Sequence, residues 1–110
     1  MTPTEANATH TAELSIPPDH PSLAGHFPGR PVVPGVLLLD RILEAAEDWL
    51  GQPVSVRSLP QVKFIAPLLP GQAARLELKR LGDELRFVVR RDAIVIAQGL
   101  FAVVIGGVSH

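Results

Sequence analysis

The chain has no cysteine, which excludes disulfides, thiolate nucleophiles and cysteine-ligated metal centres together. It also lacks a dominant charge: ten basic and eleven acidic residues leave it at −1, without the positive field of a nucleic-acid-binding domain. No apolar run reaches the roughly 18 residues of a membrane span. The opening residues are polar and acidic, without the basic region and apolar stretch of a secretory signal. A soluble, cytoplasmic protein is expected. What the sequence does have is apolar side chain, 46% of 110 residues against 19% charged. A single domain this small does not cover that much apolar surface alone, which predicts oligomerisation.

Residues 1–11 are small and polar without periodicity and are expected to form a loose tail, with one domain over residues 12–104 and a second tail at 105–110. Residues 12–16 alternate apolar and polar as a short strand does, until Pro17 and Pro18 stop it. Residues 17–34 hold six prolines and two glycines, too many for a helix interior, so they form an irregular but stiff loop. Pro34 then suits a first helical turn, and an apolar segment runs without a breaker to Gly51, which suits the carboxy-terminal cap. The first turns of this helix are apolar on nearly every side, as in a helix enclosed by other structure.

Beyond Gly51 the pattern is that of strands. Residues 54–66 are rich in valine, isoleucine and phenylalanine, and Pro60 predicts a bulge or an edge position. Residues 73–81 set Ala74, Leu76 and Leu78 against Arg75, Glu77 and Lys79, the period of a sheet with one wet face. Gly82-Asp83 turns into residues 84–90, and Arg91-Asp92 leads to a last strand over 93–104. One buried helix followed by enough strand to wrap it predicts an α+β hotdog fold, a curved antiparallel sheet of about five strands around a central helix.

Three residues near the helix start have a use in one reaction, loss of water from a 3-hydroxyacyl thioester. Histidine with a reference pKa of about 6.5 is a competent base near neutrality, and His26 sits in the proline-stiffened loop. Asp40 lies in an otherwise apolar turn, where burial would favour its protonated form and let it assist the departing hydroxyl; otherwise it would orient that hydroxyl and a water. Gly35 stands where free helical N–H groups carry partial positive charge, and with no Cβ it lets a carbonyl approach. His20 and His26 lie on the same loop, but no third ligand is spaced to complete a metal site, so none is expected.

The string His26-Phe27-Pro28-Gly29, then Pro31, then Pro34-Gly35-Val36-Leu37 with Asp40, resembles the signature of the 3-hydroxyacyl-[acyl-carrier-protein] dehydratases. Val62-Lys63-Phe64, followed by Pro67 and Pro70-Gly71, is similar to the strand and turn after that family's central helix. The resemblance covers residues 12–104. It implies that His26 and Asp40 are catalytic, that Gly35 and Val36 hold the thioester oxygen, and that Phe27, Pro34 and Leu39 border an acyl tunnel. It implies no cofactor beyond the phosphopantetheine arm of an acyl carrier protein, whose acidic surface Arg30, Arg41, Lys63, Arg90 and Arg91 could meet. It further implies a homodimer whose sites take the histidine from one subunit and the acid from the other, with a larger oligomer or a heteromer with another hotdog protein as variants. The product would be a trans-2-enoyl thioester in fatty-acid-like or polyene synthesis. Housekeeping members usually carry glutamate at the position of Asp40 and a small-residue and glutamine run where this chain has Arg41-Ile42-Leu43-Glu44. The chain therefore looks more like the compact dehydratases of aryl polyene type pathways. A hotdog thioesterase and a non-catalytic partner subunit are the alternatives.

Overall fold

A computed structural model of the chain describes residues 7–19 and 32–106. It contains β1 (Asn7–Leu14), α1 (Gly35–Leu50), β2 (Val54–Phe64), β3 (Ala74–Leu81), β4 (Glu84–Arg91) and β5 (Ile94–Ile105). The strands form one antiparallel sheet in the order β1-β3-β4-β5-β2, so β1 and β2 are its edges. This is the expected hotdog arrangement. The alternation in β3 and β4 turns Leu76, Leu78, Leu85, Phe87 and Val89 towards the helix, each at most 2% exposed. Phe87 and Phe101 lie side by side on β4 and β5 with ring centroids 5.1 Å apart. Burial of each ring contributes about 1.5–3 kcal/mol.

The helix faces the sheet with Leu38, Ile42, Ala46 and Leu50, spaced four residues apart. The opposite stripe, Val36, Asp40, Glu44 and Asp48, is exposed. The helix is therefore enclosed on the sheet side alone, and the expectation of cover on nearly every side fails for the single chain. The reason is angular: the leucines at 37 and 38 turn to the core, while 36 and 40 point away. Pro34 occupies the N-cap, and Gly51 caps the other end at φ 67°, donating its N–H to the Glu47 carbonyl at 2.8 Å. His10 on β1 stacks on Trp49 at 5.3 Å between ring centroids and ties the end of the helix to that edge strand.

Several strand boundaries differ from those read in the sequence, and two of them have a plain cause. β1 begins at Asn7, inside the expected tail, because β3 offers it a partner from Asn7 opposite Leu81 to Leu14 opposite Ala74. Backbone pairing extends the strand where its small, polar side chains give no signal. β2 ends at Phe64, since the N–H groups of Ile65 and Ala66 both turn to the Ile96 carbonyl, at 2.8 and 3.2 Å. The irregularity predicted at Pro60 is present as register shifts between Val56 and Ser58 and between Ser58 and Gln61. Among the described residues no helix is long and apolar enough to cross a membrane.

Candidate active site

Two connections fix the start of the helix against the sheet. The Val33 N–H donates to the Leu68 carbonyl at 2.8 Å, and the β2–β3 connection is tied back where the Gly71 N–H donates to the Ile16 carbonyl at 2.7 Å. Between the helix start and that connection lies a cavity of about 640 Å³, bordered by Gly35, Val36, Leu38, Phe64, Ile65 and Leu68 among others. A cleft of about 700 Å³ lies elsewhere, by β1, β3 and the β4–β5 turn, and shares no residue with it. The cavity at the helix start is the one that combines apolar walls with a source of positive potential.

That source is the first turn of α1. Its first intrahelical bond runs from the Leu38 N–H to the Pro34 carbonyl at 3.1 Å, so the N–H groups of Gly35, Val36 and Leu37 lie ahead of the helical ladder. Among the described residues no side chain caps them, and the first turn holds no acidic residue. The amides and the aligned peptide dipoles are thus available to an oxygen that enters the cavity. Gly35 also stands close to a neighbour that the sequence does not display. A Cβ on Gly35 would lie 2.7 Å from Cζ of Phe64, whose ring covers the glycine. Phe64 is itself 52% exposed and Ile65 55%, an unusual state for large apolar groups beside a cavity.

The placement of the expected site residues is mixed. Gly35 and Val36 border the cavity, and Val36 is 73% exposed. Asp40 follows Val36 by one turn on the same exposed stripe, so within the single chain it is not buried among leucines. Pro34 supplies the N-cap and does not border the cavity; Leu39 packs against the main core instead. His20, His26 and Phe27 lie outside the described residues. Of the basic residues expected to meet a carrier, Arg41 donates to Glu44 at 2.9 Å and Arg90 pairs with Glu77 at 3.3 Å. Arg30 lies outside the described residues. The sequence reading missed Phe64, Ile65, Leu68 and Ile96 as cavity walls. Phe64 was visible within a motif, but an apolar residue at a strand end reads as ordinary core.

The family model described as ApeI-like, the ApeI dehydratase, matches residues 2–99. The 3-hydroxyacyl-[acyl-carrier-protein] dehydratase FabZ of Granulibacter bethesdensis is 34% identical over 96 residues, 74% of this chain and 56% of that protein. The chain thus spans less than two thirds of that relative's length. Among solved structures, the dehydratase heterocomplex ApeI:P from Xenorhabdus doucetiae superposes with a TM-score of 0.76 at 28% identity, covering 86% of each chain. A 1,4-dihydroxy-2-naphthoyl-CoA thioesterase from Synechocystis shares the fold at a TM-score of 0.64, 15% identity and coverage of 89% of this chain and 82% of that one.

Proposed function

The chain belongs to the ApeI-like dehydratase family, and from that premise we propose that it removes water from 3-hydroxyacyl thioesters carried on the phosphopantetheine of an acyl carrier protein. The observation that carries the reading is the start of α1, whose amides have no side-chain cap among the described residues and border an apolar cavity. An acyl chain lies along Phe64, Ile65 and Leu68, and its thioester oxygen accepts from the N–H groups of Gly35 and Val36. His26 takes the proton from carbon 2, and negative charge moves onto that oxygen. The carbon–oxygen bond at carbon 3 then breaks, the hydroxyl leaves as water with a proton from the acid, and a trans-2-enoyl thioester remains.

In this reading the acid is Asp40 of a second subunit. Its exposure in the single chain fits a residue that a partner covers. The edge strand β2 fits as well, since it pairs with β5 alone among the described residues while Val56, Leu59 and Phe64 on it are exposed. No cofactor beyond the substrate's own arm is proposed. The test is mass spectrometry of a 3-hydroxyacyl-carrier thioester after incubation with the protein. A product lighter by one water supports the reading, and release of free thiol would favour the thioesterase that lower-identity structures share a fold with. His26→Ala and Asp40→Asn should each lower turnover about 10²-fold or more while remaining folded.

One observation favours a second reading, a heteromer: the 28% identical structure from Xenorhabdus doucetiae is described as a heterocomplex. If the purified chain is inert and gains activity only with another hotdog protein, half of each site comes from elsewhere. Synthesis of aryl polyenes is the pathway proposed, on the strength of the family match.

A further inference from the structure

One isoleucine that belongs to no strand or helix is as fully buried as any residue of the core. Ile16 lies two residues beyond the end of β1 and is 0% exposed. It packs on Leu37 in the first turn of α1, with Val33 against the pair, in a cluster apart from the main core. Small clusters of this kind form under irregular segments. Arg41, one turn after Leu37, reaches the carbonyl of the adjoining Ser15 at 3.5 Å.

What holds Ile16 there is the connection between β2 and β3. The Gln72 N–H donates to the Leu69 carbonyl at 3.1 Å and closes a four-residue turn around Pro70 and Gly71, and the Gln72 side chain accepts from the Leu69 N–H at 3.0 Å. Proline second and glycine third, the glycine at φ 84°, mark a type II turn. A type I turn differs by about 150° in ψ at the second residue and about 170° in φ at the third, which amounts to turning over the peptide that joins them. The N–H of that peptide is Gly71's, and it donates to the Ile16 carbonyl at 2.7 Å. The same connection accepts from the Val33 N–H at the Leu68 carbonyl, at 2.8 Å. Both Ile16 and Val33 are thus tied to one short connection, and Leu37 lies between them and the helix.

We infer that Gly71 is a positioning residue for the start of α1: the central peptide of its turn fixes Ile16, Ile16 fixes Leu37, and Leu37 holds the first-turn amides in place at the cavity. Gly71 does not border that cavity, so it acts through these contacts and not on the substrate. Alanine at position 71 disfavours φ 84° and moves the turn towards type I, which carries the N–H away from Ile16. Asparagine tolerates positive φ and keeps the N–H where it is. Among the described residues a Cβ at position 71 meets Pro18 alone, at 3.4 Å, an ordinary contact, so a substitution there acts through conformation and not through crowding. The effect on turnover rests on the proposed dehydration, whereas the ordering of the helix start does not.

The test compares Gly71→Ala with Gly71→Asn and with Gly82→Ala, which puts alanine at φ 61° in the turn between β3 and β4, where a Cβ meets nothing. The two alanine variants should lose a similar few degrees of melting temperature. On a 3-hydroxyacyl-carrier thioester, Gly71→Ala should lose about tenfold or more in kcat with KM little changed, since displaced amides weaken the transition state more than the bound substrate. Gly82→Ala should keep the wild-type kcat, and Gly71→Asn should recover most of it. Amide hydrogen exchange read by NMR needs no turnover: the N–H groups of Val33 and Leu38, bonded to Leu68 and Pro34, should exchange faster in Gly71→Ala than in Gly82→Ala or wild type. Equal kcat, or equal exchange, in the two alanine variants would overturn the inference, as would Gly71→Asn behaving like Gly71→Ala. A wild type without dehydratase activity would overturn the proposed reaction instead, and exchange at Val33 and Leu38 would then decide the role of Gly71.

Discussion

Phe64 and Gly35 form a pair whose contact decides what the helix start can receive. The ring occupies the space a Cβ would need, but it is the far end of a flexible side chain and can swing aside. Gly35→Ala is therefore expected to lower stability by only about 1 kcal/mol in urea unfolding, while pushing the ring into the cavity and lowering turnover much further. Phe64→Leu in the same chain should restore stability, because the clashing atoms are gone. A Gly35→Ala variant with unaltered kinetics would show that the cavity at Gly35 is not where chemistry occurs. Asp40 teaches a different lesson at this scale. Leucines precede it in the sequence, but on the helix it lies on one stripe with Val36 and Glu44, four residues to either side, and both are exposed. A run of apolar letters around an acid does not bury it, which is why the sequence misjudged its surroundings.

The strands and the helix were largely legible because the chain punctuates them. Pro34 and Gly51 bracket α1, Gly82-Asp83 separates β3 from β4, and Asp92-Ala93 separates β4 from β5. The first strand was legible only from Ala12, because Thr9 and Thr11 outside and Ala8 inside alternate too weakly to mark its beginning, and pairing with β3 defines that part. The same reasoning applies to Gly99, which looks like a weak point in β5 and is a requirement of the sheet. A Cβ there would meet the Gln61 carbonyl and lie 2.9 Å from Cα of Val62 and 3.0 Å from Phe87. Two of these neighbours are backbone and cannot yield. Gly99→Val is expected to cost about 2–4 kcal/mol by urea unfolding, well above the Gly35→Ala effect, and a loss under about 0.5 kcal/mol would mean the β2–β5 approach is looser than described.

As a whole molecule, the chain carries unmet demands on two surfaces. Its outer face sets Arg75 opposite Arg90 and Lys79 opposite Arg86, and its β2 edge, paired among the described residues with β5 alone, leaves Val56, Leu59, Phe64 and Ile65 exposed. The composition foretold the second, since apolar content exceeded what one small domain covers. It did not foretell which edge, because exposure depends on strand order. If β2 joins two subunits, Leu59→Glu should shift the protein from dimer to monomer in sedimentation velocity and abolish turnover with it; an active monomer would refute sharing of the site. The most direct test mixes two inert proteins, His26→Ala and Asp40→Asn, after dissociation and reassociation of their subunits. When each site takes its histidine from one subunit and its acid from the other, half the dimers are mixed and each has one intact site, so about a quarter of wild-type dehydration should return. A mixture as inert as its two components would contradict the account.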